Sequence, residues 1–301
     1  MIAFIKNNIK ITIILLLFSG LIYYFFTRDI SLNIKDKKSP YYVNNLYLSN
    51  NHAYNQLDRS EKKAYDYMFN ALKKSKKSIT ISAPDFGCVD SSTCSDLLQT
   101  LYDAIAVDQP GLINFSSYSW ILKGSELTIR FTNATPLKFA SEIGMLRIER
   151  IIDSIKRKTK NMTDGEKVLY VYEWIGDHAT YDRLFTFASK NQSIYNVFIK
   201  HNAVCAGFSK TASVIFQNIG IEAYSVTGLM NPGDSVGHMW NIVKIEDKYY
   251  FFDSTWAASR NNKDAEDYYF GLIPIEMDSY SLDHPNWYPE VSFEPLPGVL
   301  N

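Results

Sequence analysis

The stretch AVCAGFSKTASVIFQNIG at residues 203–220 decides the fold of the second half of the chain. Its apolar residues between Phe208 and Ile219 recur at helical spacing, and Gly220 stands where such a helix ends. The pattern predicts an amphipathic helix that begins near Cys205. A cysteine there lies beside unpaired backbone N–H groups and the positive end of the helix dipole, which favour a negative charge on sulfur.

Two strand-like segments follow this helix. HMWNIVKI at 238–245 and KYYFFDST at 248–255 predict a β-hairpin. If the loop has two or four residues, residue 240 pairs with residue 253, and His238 and Asp253 lie diagonally on one face within side-chain reach. A three-residue loop would turn Asp253 to the opposite face. The spacing is therefore compatible with a His–Asp pair but does not require one.

Cys205, His238 and Asp253 have the residue types of a catalytic triad. A thiolate is a far better nucleophile than a thiol, so a catalytic cysteine needs an adjacent base, and the base needs an orienting group. Each residue also has a structural interpretation. A free cysteine is often a small buried hydrophobe, a histidine beside a tryptophan can simply pack, and an aspartate can cap a turn. The residue types alone leave both interpretations open.

Four motifs in this region resemble those of the bacterial transglutaminase-like superfamily. AVCAGFSK at 203–210 looks like its nucleophile motif, GHMWNIV at 237–243 looks like its histidine motif, and YYFFDSTW at 249–256 looks like its aspartate motif. Upstream, residues 172–182 resemble the end of the helix that precedes this core. The motifs occur in the family's order and fall within residues 160–275.

The resemblance implies an α+β fold of the papain-like type, in which a catalytic helix packs on an antiparallel sheet. It implies Cys205 as the nucleophile, His238 as the general base and acid, and Asp253 as the residue that orients the histidine. No metal or other cofactor is implied for the chemistry.

Two features of the family's site are not matched clearly. Many members carry an acidic residue where this chain has Ala257, a difference expected to affect the substrate rim more than the triad. For the side chain that stabilises an oxyanion, Tyr195 and Asn202 are the candidates, and both also have a structural explanation.

Residues 11–26, ITIILLLFSGLIYYFF, form the one strongly hydrophobic segment. A helix of this length spans about 24 Å, slightly less than the ~30 Å hydrocarbon core, and snorkelling basic side chains can close the gap. A cleavable signal peptide is the alternative, but residues 25–28 lack the small residues of a cleavage site. We therefore expect an uncleaved membrane anchor at 11–27.

The orientation of this anchor follows less directly from the sequence. Basic residues flank it on both sides and do not favour export, yet long domains translocate largely regardless of such charges. We expect the rest of the chain to lie outside the cytoplasm, at the cell surface. Cys88 and Cys94 then have two possible states, a small disulfide loop or two unrelated thiols.

Composition shifts along the chain predict a series of segments. Asp58 with Glu61 and Thr163 with Glu166 resemble capping boxes, and Ser95 is a further candidate helix cap. The predicted segments are a short N-terminal segment (1–10), the anchor (11–27), a linker (28–56), an α/β extension (57–158), the catalytic domain (159–275) and a proline-rich tail (276–301).

Composition and the absence of certain motifs argue against several classes of function. The net charge of −1 gives no indication of nucleic-acid binding, and no phosphate-binding loop or zinc-ligand spacing is present. The sequence predicts a membrane-anchored cysteine enzyme that acts on peptide or glutamine amide bonds of a protein or peptide substrate. It would form an acyl-thioester on Cys205. The alternative is a noncatalytic transglutaminase-like module that scaffolds proteins of the cell envelope.

Overall fold

A computed structural model describes residues 51–113, 115–132, 138–183, 191–230, 237–259 and 280–292. The predicted anchor at 11–27 lies outside these residues, as does most of the predicted linker. Among the helices of the described ranges, none has both the length and the apolar character needed to cross a membrane.

The first part of the described chain is a mixed α/β unit built on a small antiparallel sheet. Its elements are α1 (His52–Gln56), α2 (Arg59–Lys73), β1 (Ser78–Ser82), α3 (Ala83–Phe86), α4 (Ser91–Asp108), β2 (Ser117–Lys123) and β3 (Glu126–Thr132). The sheet has the order β1-β3-β2. Helix α1 falls inside the predicted linker and buries Ala53 completely, so the end of that segment is folded.

The two longer helices of this unit begin where a side chain satisfies free N–H groups. α2 starts after Asp58, whose carboxylate forms the predicted capping box with Glu61. The predicted cap at Ser95 is wrong, because α4 begins earlier, after Asp90. The Asp90 carboxylate accepts a hydrogen bond from the Thr93 backbone N–H at 2.9 Å, and aspartate caps a helix as well as serine does.

Cys88 and Cys94 form a disulfide that ties the loop after α3 to the first turn of α4. Both side chains are buried. Of the two states that the sequence left open, these cysteines therefore adopt the disulfide loop. Cys205 is the free thiol among the three cysteines of the chain.

The second part is built around one long buried helix on an antiparallel sheet. Its elements are α5 (Lys138–Lys158), α6 (Asp164–His178), β4 (Thr180–Tyr181), a short π-helix (Asn196–Lys200), β5 (Asn202–Ala203), α7 (Cys205–Asn218), β6 (Ala223–Leu229), β7 (His238–Ile245), β8 (Lys248–Phe252) and α8 (Thr255–Ser259). The predicted helix that begins near Cys205 is thus confirmed as α7, and the capping box at Thr163 starts α6.

Helix α7 forms the centre of the larger hydrophobic core. It packs on β6 and β7 on one side and on α6 on the other. Phe216 of α7 meets Phe252 of β8 edge to face, with ring centroids 5.0 Å apart. Burial of each such ring contributes on the order of 1.5–3 kcal/mol, so the apolar face of α7 fixes the helix on the sheet. The α+β class predicted from the sequence is confirmed.

The β7–β8 hairpin has the register that brings the predicted His–Asp pair together. Ile245 pairs with Lys248, which leaves a two-residue loop, and Asn241 pairs with Phe252. Strand β8 is shorter than predicted, because it ends at Phe252 instead of continuing to residue 255. The Asp253 carboxylate accepts a hydrogen bond from the Thr255 backbone N–H at 2.9 Å, and this local bond replaces the strand ladder.

The C-terminal segment 280–292 lies along the edge of the larger sheet. It contains β9 (Ser281–Leu282), which pairs antiparallel with β6, and a 3₁₀ turn (Pro285–Trp287). The sheet order is therefore β8-β7-β6-β9. A side chain at Gly228 would overlap the Ser281 carbonyl oxygen and lie 2.8 Å from the Trp240 ring, so this close approach requires glycine.

Candidate active site

Cys205 is the first residue of α7 and is partly exposed. The N-cap residue, Val204, has no polar side chain to occupy the N–H groups of the first turn. The chain before it is fixed by the short parallel pairing of β4 with β5 and by a 3.0 Å hydrogen bond from the Val204 backbone N–H to the Asn191 carbonyl. The thiol therefore sits at a rigidly held helix N-terminus, as the sequence predicted.

His238 and Asp253 form a buried pair across the β7–β8 hairpin. The distance between His238 Nε2 and Asp253 Oδ2 is 2.7 Å. The side chains are 8% and 2% exposed. The predicted contact is present because the two-residue loop sets Asn241 opposite Phe252, which brings Asp253, the next residue, within reach of His238 on the neighbouring strand.

The histidine also reaches the thiol. The Cys205 side chain lies close enough to the imidazole of His238 to help raise its pKa. Since Nε2 is engaged by Asp253, the other ring nitrogen, Nδ1, is the one left for the sulfur. The three residues predicted as a site are therefore brought together, in the order thiol, imidazole, carboxylate.

Burial and charge act in opposite directions on the histidine. Burial alone would lower the pKa of His238, but the negative charge and hydrogen bond of Asp253, together with the Cys205 side chain, raise it to about 10. The pKa of Asp253 is lowered: burial opposes this, but the His238 charge and hydrogen bonds from His238 and Thr255 outweigh it. The site favours an imidazolium held between a carboxylate and a sulfur, which is the arrangement that activates a cysteine.

Tyr181 is a neighbour of Cys205 to which sequence reasoning assigned no role. It is hydrogen-bonded to the Cys205 backbone, and burial and nearby negative charge raise its pKa to about 12. Tyr181 lies within the motif at 172–182 and is the second residue of β4, where it pairs with Ala203 of β5. A tyrosine in a two-residue strand carries no pattern of its own, so only the pairing of β4 with β5 reveals its position.

Tyr195 and Asn202, the residues predicted as candidates for stabilising an oxyanion, both have contacts that explain them structurally. Tyr195 is buried in the core around α7, where its ring packs against Gly144. Asn202 accepts a 3.2 Å hydrogen bond from the Asn191 side chain. Ala257 is partly buried, and its backbone and side chain lie close to Gly176 of α6.

Residues 150–254 match the family model of the transglutaminase-like superfamily core. The chain thus contains a transglutaminase-like domain. This region includes α6, α7, the β6–β8 sheet and all three residues of the candidate site. The domain has the predicted papain-like arrangement, with a helix that carries the cysteine packed on an antiparallel sheet.

Two solved structures are similar to parts of this chain. A transglutaminase (TGase) of known crystal structure is 20% identical, with a TM-score of 0.35, and the alignment covers 58% of this chain and 50% of that one. A candidate cysteine protease from Cytophaga hutchinsonii is 14% identical, with a TM-score of 0.33 and coverage of 54% and 58%. The chain spans about half the length of these structures. No curated protein matches the chain significantly.

We expect iodoacetamide to alkylate Cys205 selectively in the native, unreduced protein, because Cys88 and Cys94 are joined in a disulfide. His238→Ala should slow this alkylation roughly 10-fold near neutral pH, since the imidazolium that favours the thiolate is lost. The measurement is mass spectrometry of the labelled protein over time. Denatured, reduced protein supplies the rate of an ordinary thiol, and a native rate equal to it would remove the case for an activated cysteine.

Lys210 of α7 is buried, with 6% of its surface exposed. Burial lowers its pKa to about 8, opposed by negative charge at Cys205. An unfolded lysine titrates near 10.4, so the folded state binds fewer protons between these values. The cost of burying the charge is therefore present below pH 8 and is relieved as the pH rises toward 10.

Lys210→Met should consequently stabilise the protein by about 1–3 kcal/mol at pH 7, with a gain that shrinks above pH 8. Urea unfolding from pH 7 to 10 measures the difference in the free energy of unfolding between the variant and the wild type. The other titrating groups contribute equally to both proteins and drop out of this difference. Lys76→Met, at an exposed position, is the matched control and should change little. A gain that stays constant with pH would mean that the Lys210 ammonium is not the cause.

Proposed function

We propose that the transglutaminase-like domain is a cysteine enzyme that cleaves or rearranges peptide or glutamine amide bonds through an acyl-thioester on Cys205. One observation carries this proposal. A partly exposed thiol at the N-terminus of α7 lies beside an imidazole whose Nε2 contacts a buried carboxylate at 2.7 Å. A purely structural cluster has no chemical need for this order of groups.

The first half of the reaction follows from this geometry. His238 takes the thiol proton, and the Cys205 sulfur attacks the amide carbonyl to form a tetrahedral intermediate. Backbone N–H groups at the start of α7 are placed to stabilise the oxygen that becomes negative. The intermediate expels an amine or ammonia, which leaves with the proton carried by His238, and the acyl group remains on sulfur.

The acceptor decides the outcome of the second half. His238 removes a proton from water or from an amine, which attacks the thioester and releases Cys205. Water gives proteolysis or deamidation, and an amine gives a crosslink. Asp253 holds the imidazole in one orientation throughout and stabilises its positive form.

Comparison of cellular substrates would test this proposal. Proteins from cells that carry the wild type or Cys205→Ala are compared by mass spectrometry for cleaved, deamidated and crosslinked peptides. We expect at least one class of product to depend on Cys205. If no product differs while partner proteins still co-purify with both forms, the noncatalytic scaffold becomes the better explanation.

We propose further that the domain lies outside the cytoplasm on a membrane anchor at 11–27. The apolar segment at 11–26 supports the anchor, and the Cys88–Cys94 disulfide supports export, because disulfides persist mainly in oxidising compartments. Protease treatment of intact cells should then remove the domain. Survival of the domain until the cells are lysed would contradict the orientation, and its release without detergent would contradict the anchor.

A further inference from the structure

Tyr280 contacts the carboxylate of the candidate triad from a distant part of the chain. Its hydroxyl donates a hydrogen bond to Asp253 Oδ2 at 3.1 Å. The same oxygen accepts from His238 Nε2 at 2.7 Å, and the other oxygen, Oδ1, accepts from the Thr255 backbone N–H at 2.9 Å. The buried carboxylate is thus held by three donors, which come from the start of β7, the start of α8 and the C-terminal segment.

The Tyr280 ring is fixed on several sides. It meets Trp240 edge to face at 4.9 Å and the His238 ring at 6.1 Å. The Trp256 indole N–H lies 3.4 Å from its hydroxyl oxygen. A ring held in this way keeps its hydroxyl in one place, so the phenol can define where Asp253 points.

The segment that carries Tyr280 is anchored independently of its hydroxyl. β9 pairs with β6 directly after Tyr280, and the Asp283 backbone N–H donates to the Thr227 carbonyl at 3.0 Å. Further along, His284 contacts the Asp103 carboxylate of α4 at 3.2 Å. The loss of one hydroxyl should therefore leave the segment in place.

We propose that Tyr280 is a positioning residue of the active site, which fixes the Asp253 carboxylate and through it the imidazole of His238. This inference rests on the proposed function. A hydrogen bond to the charged form of a carboxylate stabilises that form, and a buried acceptor that loses a donor is left incompletely satisfied. Without the phenol, Asp253 is freer to turn away from His238, and the Cys205–His238 pair forms less readily.

Tyr280→Phe tests this role, because it removes the hydroxyl and keeps the ring. We expect turnover to fall roughly 3- to 30-fold, less than for the direct loss of a hydrogen bond to a charged group, because the phenol acts on the imidazole only through Asp253. The acidic limb of the pH profile for iodoacetamide alkylation of Cys205 should move to higher pH. Tyr249→Phe is the matched control, since Tyr249 donates to the exposed Glu222 instead and should leave the profile unchanged.

The outcomes separate this inference from the proposed function. If wild-type Cys205 reacts like an ordinary thiol and shows no turnover, the proposed function fails. If the wild type is active and Tyr280→Phe has the same pH profile and turnover, the positioning role of Tyr280 is refuted. The same conclusion follows if only Tyr280→Ala, which also removes the ring, lowers activity, because packing and not the hydrogen bond would then be responsible.

Discussion

Cys205→Ala is expected to abolish turnover and acyl-enzyme formation while the domain remains folded. The sulfur is the atom that forms the proposed thioester, and no other thiol is free to replace it, because Cys88 and Cys94 are bonded to each other. Stability should change by less than about 1 kcal/mol, since the side chain is partly exposed and loses a single heavy atom. This is the largest effect on activity that the structure predicts.

Incubation with an activated ester provides the measurement. Intact-protein mass spectrometry should detect the acylated wild type and no acylated Cys205→Ala, and thermal unfolding should show similar midpoints for both. Ser209→Ala is a useful control, because Ser209 lies on the same helix but is buried against β7 through a 2.7 Å hydrogen bond to the Trp240 carbonyl. If Cys205→Ala leaves every activity and partner interaction intact, the site is architectural and the scaffold interpretation prevails.

Asp253→Asn is expected to reduce turnover about 10- to 1,000-fold, or about 1–4 kcal/mol of transition-state stabilisation. The loss should be partial because a neutral amide can still orient a histidine through a hydrogen bond. It should nevertheless be large, because the negative charge of Asp253 is what raises the pKa of His238 against its burial. The variant should keep the shape of the site and lose most of its electrostatic support.

The same substitution should also lower stability. Both oxygens of Asp253 accept hydrogen bonds, from Thr255 on one side and from His238 and Tyr280 on the other. An amide replaces one acceptor with a donor, so one of these groups is left facing another donor in a buried site. The expected cost is about 1–3 kcal/mol.

The pH dependence of that cost follows from the two pKa shifts. The raised pKa of His238 gives stability that is fully present below about pH 6.5 and is lost as the pH rises through about 10. The lowered pKa of Asp253 gives stability that is present above its ordinary range and is lost as the pH falls through the folded value. Urea unfolding should therefore show the gap between wild type and Asp253→Asn narrowing toward both extremes.

Asp247→Asn is the matched control, because Asp247 lies exposed in the hairpin turn. It should alter neither activity nor the pH dependence of stability. A gap between wild type and Asp253→Asn that does not vary with pH would show that Asp253 supports the fold without an ionic bond to His238.

Local features of the fold, such as helix caps, could be predicted where the residues that form them lie within a few positions of one another. The capping boxes at Asp58 and Thr163 were predicted because each needs only two side chains three residues apart. The error at Ser95 has the same origin. Asp90 and Ser95 are both good caps, and the choice of Asp90 depends on where the disulfide and the preceding turn place the chain.

The His–Asp pair shows the limit of sequence patterns. Strand periodicity placed both residues at the edge of one hairpin but could not fix the loop length, and one extra residue would have separated them. The two-residue loop is decided by how β7 and β8 pair within the sheet. Tyr280 was beyond prediction, because a tyrosine 27 residues from Asp253 in sequence has no periodic relation to it.

The sequence by itself determined the amphipathic helix that begins at Cys205, the strands that carry His238 and Asp253, and hence the α+β class. These follow from spacing within single elements, where the pattern of apolar residues selects the buried face. Only the tertiary structure decided that the three side chains touch, that Tyr181 lies against the cysteine, and that Tyr280 completes the shell around Asp253. Such contacts join residues far apart in the chain, and their distances depend on strand pairing and helix packing, which no local pattern encodes.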